Sequence, residues 1–220
     1  KKKNKQTQKK IKEVLMQVKP SMVLVQGDTT STMVGALAAF YLKIPVGHIE
    51  AGLRTGDIYG PFPEEVNRKV VSSIAQLHFA PTDTTADNLR KEQINEQQIF
   101  VTGNTVVDAL RLMKQKIALG EIEISGHLRI LVEQCKQKKQ KIMLLTMHRR
   151  ESFDGGIERV LETVQTFLQK NDDIFCVYPI HPNPYVINVL QKTGLRDVPN
   201  CYVSEPLLYQ DMVYLLDNAN

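Results

Sequence analysis

Residues 21–68 read SMVLVQGDTTSTMVGALAAFYLKIPVGHIEAGLRTGDIYGPFPEEVNR, and this stretch decides the fold. A short apolar run ends at Gly27-Asp28, and four hydroxyl residues and a small-residue apolar segment follow. This order predicts a buried strand, a tight glycine turn and a helix capped by Thr or Ser. A second apolar run, 44–49, ends at Glu50, and a Pro-bounded loop leads to Glu64-Glu65 before another apolar segment. The stretch therefore predicts strand, helix, strand, loop and helix.

The same alternation continues along the rest of the chain. A stripe of apolar residues at helical spacing precedes it at 9–18, and loop 52–63 is long enough to suggest a functional role. Further strands are expected at 77–80, 99–102, 142–146, 174–179 and 201–203, and further helices at 64–75, 84–92, 105–117, 128–135, 157–168, 184–190 and 209–216. Alternating strands and helices predict right-handed βαβ units with parallel sheets. We therefore expect an α/β protein of two partial Rossmann-like domains, 1–118 and 119–220.

Composition excludes several classes of protein. Of 220 residues, 42% are hydrophobic and 24% charged, which is ordinary for a globular domain. No apolar stretch approaches the roughly 18 residues of a membrane helix, and no apolar core of a signal peptide follows the N-terminal lysines. The thiols Cys135, Cys176 and Cys201 are few and widely spaced, which argues against a disulfide framework and fits the reducing cytoplasm.

The net charge of +4 is mild, and much of it lies in two lysine-rich stretches, 1–10 and 136–141. Neither stretch is interleaved with aromatic residues or joined to a nucleic-acid-binding motif. We interpret both as solvated helix faces or linkers and expect no nucleic-acid partner.

Three carboxylates mark the candidate site in the first domain: Asp28, Glu50 and Glu64. Ligands of open parallel sheets bind at the carboxyl ends of the strands, where Asp28 and Glu50 are expected. Asp28 has an alternative role as a helix cap, and Glu64 one as an i,i+4 salt-bridge partner of Arg68. Glu50 is harder to explain structurally, because an acid closing an apolar strand is unusual in a packed core. Together the acids suit a reaction in which a proton leaves carbon while a leaving group is protonated or steadied.

The second domain offers a basic segment after its first strand. In residues 148–152, HRRES, the arginines can clamp phosphate oxygens and the histidine can donate to them; exposed loop residues are the alternative. His181 also ends a strand and is expected to face a ligand, whereas His78, in a short strand, and His127, in an expected linker, are interpreted as structural or solvent residues. No metal-ligand spacing, G-x-G-x-x-G fingerprint or P-loop is present in the sequence.

Several long motifs, in this order and spacing, resemble one family, the non-hydrolysing UDP-N-acetylglucosamine 2-epimerases: QGDTTSTMVGALAAF, PVGHIEAGLRTGD, PFPEEVNR, GNTVVDAL, MHRRESF and YPIHPNP. The resemblance implies a glycosyltransferase-B-like pair of Rossmann-like domains with the substrate in the cleft between them. It also implies reversible epimerisation of UDP-GlcNAc to UDP-ManNAc at C2, by elimination of UDP to 2-acetamidoglucal and re-addition, without a redox cofactor or metal.

The resemblance assigns roles residue by residue. Asp28, Glu50 and Glu64 become the candidate acid and base carboxylates, and His148 joins them at the diphosphate. Arg68, Leu207 and Met212 become candidates for substrate binding, with residues 207–212 matching the stretch that cradles uracil. Arg149 and His181 fall at positions that contact a second, activating UDP-GlcNAc in bacterial members. The implied partners are UDP-GlcNAc, UDP-ManNAc and UDP, in a homodimer.

The chain departs from the family pattern at several places. It matches no part of the family's N-terminal phosphate loop or C-terminal Ser-Gly-Gly loop, so a fragment of an epimerase is expected. Met212 stands where many members have Phe, and Met147 replaces a small residue. Two alternatives stay open, namely a glycosyltransferase of the same fold and a non-catalytic nucleotide-sugar-binding module.

Overall fold

Short apolar strands alternate with helices throughout residues 2–147 and 155–220, the parts of the chain that a computed structural model describes, with side chains from Gln6 onward. The chain divides into two compact units, Lys1–Val106 and Val107–Asn220. This boundary falls one helix earlier than the expected division after residue 118. Each unit builds its own sheet, and all strand pairs of both sheets are parallel. The predicted α/β class with parallel sheets is confirmed.

The first unit carries a four-stranded sheet in the order β1-β2-β3-β4. Its elements in chain order are α1 (Lys2–Val18), β1 (Val23–Gln26), α2 (Thr30–Tyr41), β2 (Val46–Ile49), α3 (Glu64–Ile74), β3 (Leu77–Ala80), α4 (Asp83–Lys91), a 3-10 turn (Glu96–Gln98) and β4 (Ile99–Val101). The first lysine-rich stretch belongs to α1, which begins well before the predicted residue 9.

The second unit carries a three-stranded sheet in the order β5-β6-β7. Its elements are α5 (Thr105–Ala118), α6 (Gly126–Gln137), β5 (Lys141–Leu144), α7 (Gly156–Leu168), β6 (Ile174–Pro179), α8 (Pro184–Lys192), a 3-10 turn (Gly194–Asp197), β7 (Cys201–Ser204) and α9 (Tyr209–Asn218). His127 therefore lies in the first turn of α6, not in a linker, and its ring packs on Tyr202 with centroids 5.0 Å apart.

Small side chains let the helices of the first unit lie close to the sheet. One core cluster joins Val25 and Val46 of the strands to Ala36 and Ala39 of α2. A second cluster, centred on Leu89 of α4, packs against β3 and β4. Burial of a side chain such as Leu89 stabilises the fold by about 1.5–3 kcal/mol.

The second sheet has a core on each face. Cys176 and Tyr178 of β6 belong to a cluster with α7 and α8, whereas Val177 between them belongs to a cluster with α6. Successive residues of a strand point to opposite faces, so β6 is covered on both sides.

Two buried histidines lie side by side in the first sheet. His48 of β2 and His78 of β3 are register partners, and neither is exposed to solvent. Burial, together with the charge of His48, lowers the pKa of His78 from 6.5 to about 4. Burial likewise lowers the pKa of His48. Both rings are therefore neutral at pH 7, as expected of structural residues.

The first prediction concerns the pH dependence of stability. Between pH 6.5 and about 4 the unfolded chain binds a proton at His78 that the folded chain does not, so the stability is full above pH 6.5, decreases as the pH falls from 6.5, and reaches its full loss by about pH 4. We expect a loss on the order of 3 kcal/mol. The loss of stability is measured by urea unfolding at a series of pH values, with hydrogen exchange of the β2 and β3 peptides as the readout. In His78→Leu this part of the pH dependence should disappear; an unchanged profile would contradict the assignment.

Candidate functional site

The carboxylates that follow β1 and β2 lie together at one edge of the first sheet. Asp28 comes two residues after the end of β1, and Glu50 comes directly after β2, its parallel neighbour. A Cβ built on Gly27 would lie only 3.4 Å from Oε2 of Glu50, so this side chain rests against the Gly27-Asp28 turn. The register of β1 and β2 thus brings two of the predicted residues to one place.

Asp28 does not cap helix α2. The N-cap is Thr29, whose hydroxyl oxygen accepts a hydrogen bond from the backbone N–H of Thr32 at 3.3 Å. This confirms the predicted hydroxyl cap and leaves the Asp28 carboxylate available to another partner. That partner is the guanidinium of Arg68 in α3, which forms a short ion pair with Asp28.

Arg68 also binds a second carboxylate, but this is Glu65 and not Glu64. Its Nη1 lies 3.3 Å from Glu65 Oε2. The i,i+4 salt bridge between Glu64 and Arg68, one of the two interpretations of that pair, is therefore replaced by an i,i+3 pair. The Arg68 side chain is only 12% exposed and holds two anions, and its role in substrate binding stays a prediction.

Glu65 is a buried carboxylate that organises loop 52–63. It is fully buried, and it accepts the backbone N–H groups of Thr55 at 3.2 Å and Gly56 at 3.3 Å. Burial raises the pKa of Glu65, but these two N–H groups, the charge of Arg54 and the hydrogen bond from Arg68 outweigh burial and lower it. Glu65 therefore stays ionised inside the protein and ties the loop to α3.

Glu64 occupies the first turn of α3 and is half-buried. Within residues 2–147 and 155–220, its carboxylate has no hydrogen bond or ion pair. An uncommitted carboxylate next to a structural one is compatible with the predicted acid–base role, which stays a prediction.

Glu50 is held in an unusual backbone conformation. Its φ is +66°, a left-handed value that costs a non-glycine residue on the order of 1 kcal/mol or more. Its carboxylate accepts a hydrogen bond at 3.2 Å from the side-chain amide of Asn104, which follows β4. Strain of this kind is concentrated at functional sites, where the surrounding structure maintains it.

Side chains of three different elements hold the turn that carries Asp28. Each donates a hydrogen bond to one of three consecutive carbonyl groups: Thr32 Oγ1 to Gln26 at 2.7 Å, His48 Nε2 to Gly27 at 2.8 Å, and Asn67 Nδ2 to Asp28 at 2.8 Å. The turn is therefore fixed by α2, β2 and α3 together. Neither Asn67 nor Asn104 was predicted from the sequence, because their contacts depend on how the strands and helices pack.

A cavity of about 450 Å³ opens at the carboxyl edge of the second sheet. It is lined by His181, Leu207 and Met212, three of the predicted site residues, and also by Met147 and Thr146. The ring Nδ1 of His181 accepts the backbone N–H of Asn183 at 3.2 Å, which orients the imidazole. The lining is mainly apolar, as suits the flat face of a base or another ring.

Two predicted residues, His148 and Arg149, lie outside the described residues. In the described part of the chain, no group of three or more His, Cys, Asp or Glu side chains is placed to hold a metal ion. The described helices include none that is long and apolar enough to cross a membrane. The absence of metal and cofactor in the reaction stays an expectation.

Each of the two α/β units has a parallel sheet. Charged groups lie at the strand ends of the first unit, and an apolar cavity lies at the strand ends of the second. These features are typical of a ligand-binding α/β protein. The sequence model of the UDP-N-acetylglucosamine 2-epimerase family matches residues 2–220. The chain belongs to this family.

Individual relatives agree with that assignment. The probable UDP-N-acetylglucosamine 2-epimerase of Ralstonia solanacearum is 43% identical over 212 residues, which cover 96% of this chain and 55% of the relative. The crystal structure of UDP-GlcNAc 2-epimerase from Neisseria meningitidis bound to UDP-GlcNAc superposes with a TM-score of 0.88 at 39% identity, covering 99% of this chain and 57% of that one.

An archaeal enzyme has the same fold. Methanocaldococcus jannaschii UDP-GlcNAc 2-epimerase in complex with UDP-GlcNAc and UDP gives a TM-score of 0.73 at 33% identity, covering 98% of this chain and 58% of that one. The chain thus spans just over half the length of the relatives it matches.

The second prediction separates Glu65 from its neighbour Glu64. Glu65→Gln removes a buried charge and leaves Arg68 short of one anion, so we expect a loss of about 3 kcal/mol in the free energy of unfolding. Glu64→Gln, on the same helical turn, is the matched control and should change stability by less than about 0.5 kcal/mol. Urea unfolding of both variants provides the measurement. Equal stability of the two variants would show that the Glu65 network does not stabilise the fold.

Proposed function

We propose that this chain belongs to an enzyme that interconverts UDP-N-acetylglucosamine and UDP-N-acetylmannosamine at C2. Membership of the epimerase family supports this reaction, and the relatives from Neisseria and Methanocaldococcus are described with UDP-GlcNAc bound. The observation that carries the proposal is the placement of Glu50 against the Gly27-Asp28 turn, at the carboxyl edge of β1 and β2.

The chemistry explains why such a pair is needed. In the forward half-reaction a carboxylate takes the proton from C2 while the C1–oxygen bond breaks and its electron pair leaves with UDP. The intermediate, 2-acetamidoglucal, then receives a proton at C2 on the opposite face while an oxygen of UDP bonds again to C1. Because the C2 proton is weakly acidic, departure of UDP runs ahead of proton transfer, and stabilisation of the diphosphate is important.

We assign the proton transfers to Asp28, Glu50 and Glu64. Asp28 is anchored by Arg68, Glu50 by Asn104, and Glu64 is uncommitted among the described residues. Three carboxylates in different surroundings are able to divide the acid and base roles between them.

We assign nucleotide binding to the second unit. Leu207 and Met212 in its cavity contact the uracil, and the diphosphate is bound by His148. Arg149 and His181 contact a second UDP-GlcNAc that activates the enzyme. This set is supported by the resemblance of the motifs and, for Leu207, Met212 and His181, by a shared cavity.

The proposal extends to the setting of the enzyme. It acts without a metal or redox cofactor, in the cytoplasm, as a homodimer that supplies ManNAc units for surface polysaccharide. The free thiols Cys135, Cys176 and Cys201 are in keeping with a reducing compartment.

The third prediction tests the carboxylates. UDP-GlcNAc incubated with the protein in deuterated water should gain deuterium at C2 and yield UDP-ManNAc, followed by NMR. Asp28→Asn and Glu50→Gln should each slow the reaction by about 10²–10⁴-fold, because each removes a proton-transfer group. Far-UV circular dichroism of both variants checks that the fold is intact.

Other outcomes of this assay identify the alternatives. Wild-type rates in either folded variant would contradict the role of that carboxylate. Sugar transfer to an acceptor without C2 exchange would identify a glycosyltransferase. Binding of UDP with neither exchange nor transfer would identify a nucleotide-sugar-binding module.

The fourth prediction tests the cavity of the second unit. Leu207 lines it, whereas the adjacent Leu208 does not and is 63% exposed. We expect Leu207→Ala to weaken UDP binding by roughly tenfold, through loss of apolar contact worth about 1.4 kcal/mol. Leu208→Ala should stay within about twofold of the wild type. Titration calorimetry with UDP gives both constants, and equal effects of the two variants would remove the cavity from the proposal.

A further inference from the structure

His48 occupies the centre of the first sheet, directly behind the candidate acid–base residues. It lies on β2 in register with Val25 of β1 and His78 of β3, and none of its side chain is exposed. Its Nε2–H donates a hydrogen bond of 2.8 Å to the carbonyl oxygen of Gly27. Among the described residues, its Nδ1 has no hydrogen-bond partner. The contact requires a proton on Nε2, and burial of the ring favours its neutral form, in which Nδ1 carries no proton.

This hydrogen bond connects the segments that carry the two carboxylates. Gly27, the acceptor, immediately precedes Asp28, and His48 itself is two residues before Glu50. Gly27 has a φ of +75° and Glu50 a φ of +66°, so the backbone is left-handed on both sides of the bond. Oε2 of Glu50 lies beside Gly27, 3.4 Å from the position of a Cβ there. The hydrogen bond from His48 to Gly27 therefore fixes the backbone of the turn that carries Asp28 relative to the strand end that carries Glu50.

The in-register neighbour His78 has no such role. It is equally buried, and in the described structure neither of its ring nitrogens makes a hydrogen bond of good geometry, although the backbone of Ala75 is close enough to favour the protonated ring. The two histidines thus share strand position, burial and ring type, but His48, unlike His78, bonds to Gly27 in the turn before Asp28. Comparison of matched substitutions at His48 and His78 therefore separates loss of the bond to Gly27 from the general effect of replacing a buried histidine.

We propose that His48 is a positioning residue for the acid–base pair, holding the Gly27-Asp28 turn at a fixed distance from Glu50. The inference rests on the proposed C2 epimerisation and adds a residue that acts behind the site without contacting the substrate. Displacement of a reacting group by about 1 Å lowers a rate by about 10²-fold, so loss of the bond should reduce kcat far more than it changes KM.

The experiment compares His48→Phe, His78→Phe and His48→Gln. The phenylalanine of His48→Phe fills the space but cannot donate to Gly27, whereas the amide of His48→Gln extends far enough to replace the Nε2 donor. We expect kcat to fall about 100-fold in His48→Phe, with KM within about threefold of wild type. His78→Phe should retain wild-type kcat, and His48→Gln should recover to within about tenfold of it.

Amide exchange at the turn provides a readout that does not depend on turnover. Hydrogen exchange at the amides of residues 28–30 should become about tenfold faster in His48→Phe and stay unchanged in His78→Phe. If the wild-type protein shows no C2 exchange at all, the proposed function fails, and this measurement still decides whether His48 holds the turn.

Three results would overturn the inference. One is a wild-type kcat in folded His48→Phe, and another is an equal loss of kcat in His48→Phe and His78→Phe. The third applies if His48→Phe does not fold: His48→Gln is then compared with His48→Asn, whose shorter amide cannot reach Gly27. Recovery by Gln alone supports the inference, and equal loss in both variants overturns it.

Discussion

The ion pairs of Arg68 hold the first unit's edge together. This one guanidinium binds Asp28, which follows β1, and Glu65 of its own helix, while Glu65 in turn binds the backbone of loop 52–63. Burying a charge costs several kcal/mol unless the charge is paired. Removal of Asp28, Glu65 or Arg68 would therefore leave a remaining charge without one of its partners and destabilise the fold. The turn, the loop and helix α3 are consequently positioned as one assembly rather than separately. An ordered loop of this length follows from that coupling, since it has little secondary structure of its own.

Glycines allow the chain to approach itself closely around this assembly. At Gly52, φ is +86° and an added Cβ would lie 2.1 Å from the carbonyl oxygen of Thr85, so no other residue fits without moving helix α4. This contact brings α4 against the chain that leaves Glu50. Left-handed backbone at Gly27, Glu50 and Gly52 thus lies close to the two strand ends, and the strain at Glu50 is offset by the packing and hydrogen bonds around it.

Much of the fold follows from local sequence. Strands β3 and β6 begin and end where the apolar runs predict, and β2 ends with its run at Ile49, because Pro, Gly or polar residues bound each run. The strand-end positions of Asp28 and Glu50 are equally predictable from the βα pattern.

The site's network was only partly predictable, because partners depend on packing. Arg68 has acidic residues at both i−4 and i−3, and spacing alone favours neither. Helix α3 turns Glu65 inward, where it is fully buried, and leaves Glu64 at the half-exposed edge. Asn67 and Asn104 reach residues 28 and 50 across long sequence separations, which no local pattern encodes. His127 was misplaced because the two glycines that precede it, Gly120 and Gly126, made the segment resemble a linker.

The electrostatics of the first unit also limit what it contributes to the proposed reaction. Two partly buried arginines near the site are already committed. Arg54 forms two hydrogen bonds of 2.7 Å to the carboxylate of Glu92 and one of 2.8 Å to Ser72, and Arg68 holds Asp28 and Glu65. Carboxylates placed for proton transfer repel a diphosphate, and these arginines largely neutralise their own partners. The positive charge that stabilises departing UDP must therefore come from another segment. His148, in the basic segment 148–150, is the group that we propose for this purpose, with the proton transfers at Asp28, Glu50 and Glu64.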